Sequence, residues 1–106
     1  MGLFDLLKKE NSPSPEKLIR AAMQGDVIQV KLLLEKGANV NAADKGGFTA
    51  LISASCNGHT ETAKLLIEKG ADVNAANEYG QTALICASGI GHTETVKLLI
   101  EKGARE

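Results

Sequence analysis

Cys56, His59, Cys86 and His92 are the residues of this chain whose types best suit metal or thiol chemistry. Thiolate and neutral imidazole are zinc ligands, and a cysteine beside a histidine is the start of a nucleophilic site. Glu61 and Glu94 add two carboxylates, the groups that general acid–base catalysis uses. The spacing argues against each of these readings. His59 and His92 each follow a glycine and stand at the same place in two copies of one sequence, thirty-three residues apart, as do Glu61 and Glu94. Stacked copies hold such equivalents roughly 8–10 Å apart, the usual distance between packed helices, whereas zinc ligands lie within about 2.0–2.3 Å of one ion. No nucleophile, base and orienting group can be assembled, so no catalytic residue, metal site or cofactor is expected. The glycines suit turns and helix ends rather than a phosphate-binding loop. The chain reads as a protein that is not an enzyme.

What positions these residues is the repeat itself. Ala38 to Gly70 and Ala71 to Gly103 differ at only nine of thirty-three positions, and a fainter copy precedes them with Leu18, Ala21, Gly25, Val30, Leu33, Gly37 and Ala38 in the same register. A period of this length predicts a linear stack of units without a central pocket.

Within the second copy, Thr49 precedes an apolar run, Ala50 to Cys56, and Gly58 closes it. A threonine there can cap the first free N–H groups of a helix, and a glycine at the end tolerates a left-handed turn. A second helix is expected from about Thr60 to Gly70, with Glu61 early and Lys69 late, as the helix dipole favours. Asp44-Lys45-Gly46-Gly47 and Asn77-Glu78-Tyr79-Gly80 have the composition of tight turns. Ala21, Ala54 and Ala87 let first helices approach closely, while Leu65, Leu66 and Ile67, with Leu98, Leu99 and Ile100, are expected to form the core of the second helices. Ser14-Pro15-Glu16 reads as a capped helix start. Helices this short depend on stacking for stability.

On these residues the chain resembles the ankyrin repeat, whose pattern runs D-x-x-G-x-T-P-L-H-x-A-A-x-x-G-H and then V-x-L-L-L-x-x-G-A-x-V-N. Asp44, Gly47, Thr49, Leu51, Ala54, Gly58, His59, Leu65, Leu66, Gly70, Ala71, Val73 and Asn74 match it in the second copy. In the third, Gly80, Thr82, Leu84, Ala87, Gly91, His92, Val96, Leu98, Leu99, Gly103 and Ala104 match. Ala50 and Ala83 stand where the family has proline, and Ile52 and Ile85 where it has its first histidine. That histidine ties the turns together in the family, so its loss implies looser turns. The resemblance implies an all-α solenoid of stacked helix-turn-helix units joined by β-turn or hairpin loops, with a protein partner bound on its concave face. Residues 14–106 form the repeat domain, with repeats at about 14–37, 38–70 and 71–106, and residues 1–13 an amphipathic helix and linker.

The positions that differ between the two good copies are the candidates for partner contact. They cluster in the turn tips and along the first helix, places that line the concave face in the family, and they include a charge reversal between Lys45 and Glu78. Two of the three aromatic residues, Phe48 and Tyr79, fall at turn tips. An aromatic held on a turn is a common interface anchor. Phe48, Tyr79 and Ile90 are therefore expected to carry most of the binding energy, with Lys45, Glu78 and Gln81 setting specificity and Asn57 beside Ile90 in the same face.

Composition bounds the rest. A chain of 106 residues with a formal net charge of −1 is one domain with no basic face for nucleic acid. No apolar stretch reaches the roughly 18 residues of a membrane span, and no signal peptide is visible, which points to the cytoplasm. Two cysteines are too few for a disulfide scaffold, and both read as free thiols. Met1 to Glu10 places Leu3, Phe4, Leu6 and Leu7 on one apolar face. Its charges nearly cancel, so a helix folded over Leu18 and Ile19 is preferred to membrane contact, with a membrane-peripheral adaptor as the alternative function. The third copy carries no polar substitutions on its outer side, which leaves self-association through that end open.

Overall fold

The computed structural model describes residues 13–105 of the chain. The amphipathic segment 1–10 and most of the linker before the first repeat lie outside the described residues. Six helices occur among the described residues: α1 (Pro15–Met23), α2 (Val27–Glu35), α3 (Ala50–Cys56), α4 (Thr60–Glu68), α5 (Ala83–Ile90) and α6 (Thr93–Glu101). The first helices of the repeats, α1, α3 and α5, pack in one row. The second helices, α2, α4 and α6, pack in another, and each pair closes on itself. The fold is an all-α stack of helix-turn-helix units, without strands among the described residues beyond the single bridges Ala43↔Thr49 and Ala76↔Thr82 in the connecting hairpins.

The helix boundaries follow from local chemistry. Thr49 Oγ1 accepts from Ile52 N and Thr82 Oγ1 from Ile85 N, both at 3.2 Å. Each bond satisfies one of the free N–H groups at a helix start. Ser14 differs. It occupies the cap position before Pro15, but its hydroxyl makes no capping bond, and only its carbonyl engages Lys17 N.

The interior is narrower than three consecutive apolar residues per helix suggest. Leu33, Leu66 and Leu99 are buried and run through all three repeats, but Leu65 and Ile67 are only half-buried and Ile100 is exposed. Successive residues on a helix point about 100° apart, so three in a row cannot share one face. The first helices supply the rest of the core through Leu18, Leu51 and Leu84, with Ala21, Ala54 and Ala87 allowing the close approach. Ile52 is 1% exposed because the third repeat covers it, whereas its counterpart Ile85 is 45% exposed.

The two cysteines are not free. Cys56 and Cys86 are joined in a disulfide between α3 and α5, with their Cα atoms 5.0 Å apart. Their positions differ by one helical turn in repeat register. The small residues around them, Ser53, Ala54, Ala87 and Gly89, let the two helices come close enough for that offset to align the thiols.

Among the described residues, two buried hydroxyls make no hydrogen bond, Ser55 Oγ and Thr62 Oγ1. An unsatisfied buried hydroxyl costs about 1–3 kcal/mol. Ala22 fills the place of Ser55 in the first repeat and is equally buried. Ser55→Ala should therefore raise stability by about 1 kcal/mol, read as a higher urea midpoint at unchanged slope.

Candidate functional site

Each hairpin is built around one Asx side chain. Asp44 Oδ1 accepts from Gly46 N at 3.0 Å and from Phe48 N at 2.9 Å. Asn77 Oδ1 accepts from Tyr79 N at 2.9 Å and from Gln81 N at 3.0 Å. Asp and Asn differ between the copies, but both act through Oδ1, so this change leaves the turn intact. The turns are thus closed without the histidine that the resemblance associates with them, and Ile52, in that histidine's place, fills the core between the repeats instead.

Successive hairpins touch. Glu78 N donates to Gly46 O at 3.0 Å. Gly47, at φ +81°, lies so close to the next hairpin that a Cβ there would be 3.0 Å from Asn77 Cα. Gly47 is therefore needed for contact with the next repeat as well as for its own turn.

The clamp leaves different side chains at the two tips. Lys45 and Glu78 are exposed, and Tyr79 is 72% exposed. Phe48 is not a free anchor: it is half-buried against the core, with its ring edge over Gly46. The ring expected to anchor a partner is thus only partly free to do so. Gln81 is half-buried too, its Oε1 accepting from Asn77 Nδ2 at 2.9 Å. Asn57 and Ile90 are exposed at the opposite ends of α3 and α5, where Asn57 Nδ2 donates to Ser53 O at 2.9 Å and Ile90 is 60% exposed. Helices of seven and eight residues separate these ends from the tips by about 10–12 Å. The seven candidates thus comprise an outer tip group, Lys45, Glu78 and Tyr79, a helix-end group, Asn57 and Ile90, and two supporting side chains, Phe48 and Gln81.

The histidines serve the stack. His59 Nε2 donates to Met23 O at 2.9 Å, and His92 Nε2 donates to Cys56 O at 3.1 Å. A carbonyl oxygen only accepts, so Nε2 carries a proton in both. Each ring reaches back to the repeat before it and lies over that repeat's glycine, Gly25 or Gly58. Asn41 ties the second repeat to the third through Asp72, and Asn74 makes the equivalent bonds within the third repeat. Asn41 donates to Gly70 O and accepts from Asp72 N, and Asn74 donates to Gly103 O and accepts from Arg105 N. Among the described residues, no group of three His, Cys, Asp or Glu side chains converges on a point where a metal ion could sit.

A family model for ankyrin repeats in three copies matches residues 18–106. The chain belongs to the ankyrin repeat family. No curated protein is similar enough to the chain to count as a relative. Ankyrin repeats as a class are protein–protein interaction modules and in general not enzymes. Among the described residues, no helix of this ankyrin repeat protein is long and apolar enough to cross a membrane.

Proposed function

We propose that this ankyrin repeat domain binds a protein partner through its hairpin tips and first helices, with Tyr79 as the chief anchor. The observation that carries this reading is Tyr79 itself. Its ring is exposed at the tip while its backbone N–H is held by Asn77 and the next residue, Gly80, closes the turn through Gly80 N to Asn77 O at 3.0 Å. A large apolar ring fixed on a rigid turn loses little freedom when it enters a partner's pocket, which is the property of interface hot spots. Lys45 and Glu78 occupy equivalent places with opposite charge, and charges at the rim of an interface select partners more than they add affinity. Asn57 and Ile90 extend the surface along the first helices. Phe48 and Gln81 belong to it as supports that hold the tips in shape. The cytoplasm is the proposed setting, and no nucleic acid or cofactor takes part in this reading.

The test begins with capture from lysate and identification of the retained protein, followed by titration of the purified pair. Tyr79→Ala should weaken binding at least about thirtyfold, the equivalent of about 2 kcal/mol, while leaving the urea midpoint unchanged. Equal affinity for the wild type and Tyr79→Ala would remove the tip group from the interface. The membrane-peripheral alternative rests on residues 1–10, outside the described residues, and no observation on the helices favours it.

A further inference from the structure

We propose that the Cys56–Cys86 disulfide is a thiol–disulfide exchange site, through which small thiols such as glutathione set how firmly the third repeat is held to the second. Three observations support it. Neither cysteine is buried: each is partly exposed, and the residues that follow them toward the helix ends, Asn57 and Ser88, Gly89 and Ile90, are exposed. Access of this kind distinguishes disulfides that exchange from those sealed in a core. The bond is also confined to one junction. Between the first and second repeats the equivalent positions hold Met23 and Ser53, which cannot be linked in this way. Finally, the other ties across the second junction contain no sulfur. His92 holds Cys56 O, Asn41 holds Asp72 N, Glu78 N holds Gly46 O, and Thr60 Oγ1 meets Thr95 Oγ1 at 2.8 Å. Opening the bond leaves these in place, so the reduced protein stays folded and the change is reversible.

The chemistry closes with glutathione as reductant. A glutathione thiolate attacks one sulfur of the pair and the S–S bond breaks. The departing cysteine sulfur keeps the electron pair and takes a proton from water. A second glutathione thiolate then attacks the mixed disulfide, releasing the other cysteine as a thiol. Two glutathione thiols become one glutathione disulfide while the protein disulfide becomes two thiols, and glutathione disulfide drives the reverse. While the bond is intact, local unfolding of the third repeat is tethered at Cys86, so residues 71–86 remain a closed loop. Reduction frees them, and a loop of that size changes the opening equilibrium by about a hundredfold.

The experiment uses the full chain in glutathione buffers of graded ratio, read by intact mass and by hydrogen exchange. None of it depends on a binding partner. The expected result is one transition in which the mass rises by two hydrogens. Across it, amides of α5 and α6 exchange about a hundredfold faster while those of α1 and α2 change little. Cys86→Ser should exchange at the reduced rate in every buffer, and the wild-type titration stands alone if that variant does not fold. The proposal is overturned if the mass is constant across the buffers, if α5 and α6 exchange equally in both forms, or if all helices lose protection together.

Discussion

Replacing Gly58 with alanine is expected to destabilise the protein by roughly 2–4 kcal/mol, well above the usual effect of adding one methyl group at a helix end. Two causes add. Gly58 has φ +72°, a left-handed conformation that costs a residue with a Cβ about 1–2 kcal/mol. A Cβ there would also lie 2.6 Å from His92 Nδ1, and the ring cannot withdraw without giving up its bond to Cys56 O. Gly70 separates the two causes, because it has φ +98° and nothing within 4 Å of a Cβ. Gly70→Ala should show the backbone cost alone. Urea unfolding of both variants makes the comparison, and equal losses would mean that the histidine contact contributes nothing. The double change Gly58→Ala, His92→Ala should lose less than the sum of the single changes, since the second removes the ring that the first collides with. Gly25 and His59 repeat the arrangement one unit earlier, with a Cβ 2.5 Å from His59 Nδ1.

Removing the disulfide is expected to have an effect of similar size for a different reason. Cys56 and Cys86 are 30 residues apart in sequence, and closing a loop of that length restricts the unfolded chain by roughly 3–4 kcal/mol in the chain-entropy account. Native contacts at the junction change little on reduction, so the loss arises in the unfolded state. Two readouts follow in urea unfolding. Reductant should lower the midpoint of the wild type and leave that of the double change Cys56→Ser, Cys86→Ser where it was. The oxidised protein should also unfold with a smaller slope, because its crosslinked unfolded chain exposes less surface. An unchanged midpoint on reduction would show that the crosslink does not constrain the unfolded chain as this account requires.

These two effects differ in how far they could be read from sequence. Gly58 and His92 both stand at pattern positions of the repeat, which marks them as parts of the scaffold rather than of a site. That the histidine serves the preceding repeat rather than its own turn was hidden, because its partner is the main chain of Cys56, thirty-six residues back. The disulfide left a signal in the sequence. Cys86 aligns with Ser53, one helical turn before Cys56, and such an offset can meet between neighbouring parallel helices. Whether it does meet depends on how closely α3 and α5 approach.

The candidate surface divides in the same way. Lys45, Glu78 and Tyr79 are exposed because they sit at the tips of turns, and Asp44 and Asn77 announce those turns by residue type. Phe48 follows the turn and pairs with Asp44 at the base of the hairpin, and it leans onto the core, since the small Gly46 leaves room for its ring. Its copy-equivalent Gln81 takes a hydrogen bond from Asn77 instead. Composition alone does not distinguish an aromatic that anchors a partner from one that closes a hairpin.

The sequence by itself determined the period, the boundaries of α3 and α4, the threonine caps and the glycine stops. Each of these depends on a residue and its neighbours within about four positions, the range of a helical hydrogen bond. It also determined membership in the ankyrin repeat family, because the pattern recurs copy after copy. Only the tertiary structure decided that Leu66 and Leu99 are core while Ile100 is not, that Phe48 faces inward, that the histidines and Asn41 tie neighbouring repeats, and that Cys56 meets Cys86. All of these depend on the offset and separation between adjacent repeats. Those quantities are set by packing over the whole interface, where a shift of one residue in register would pair different side chains.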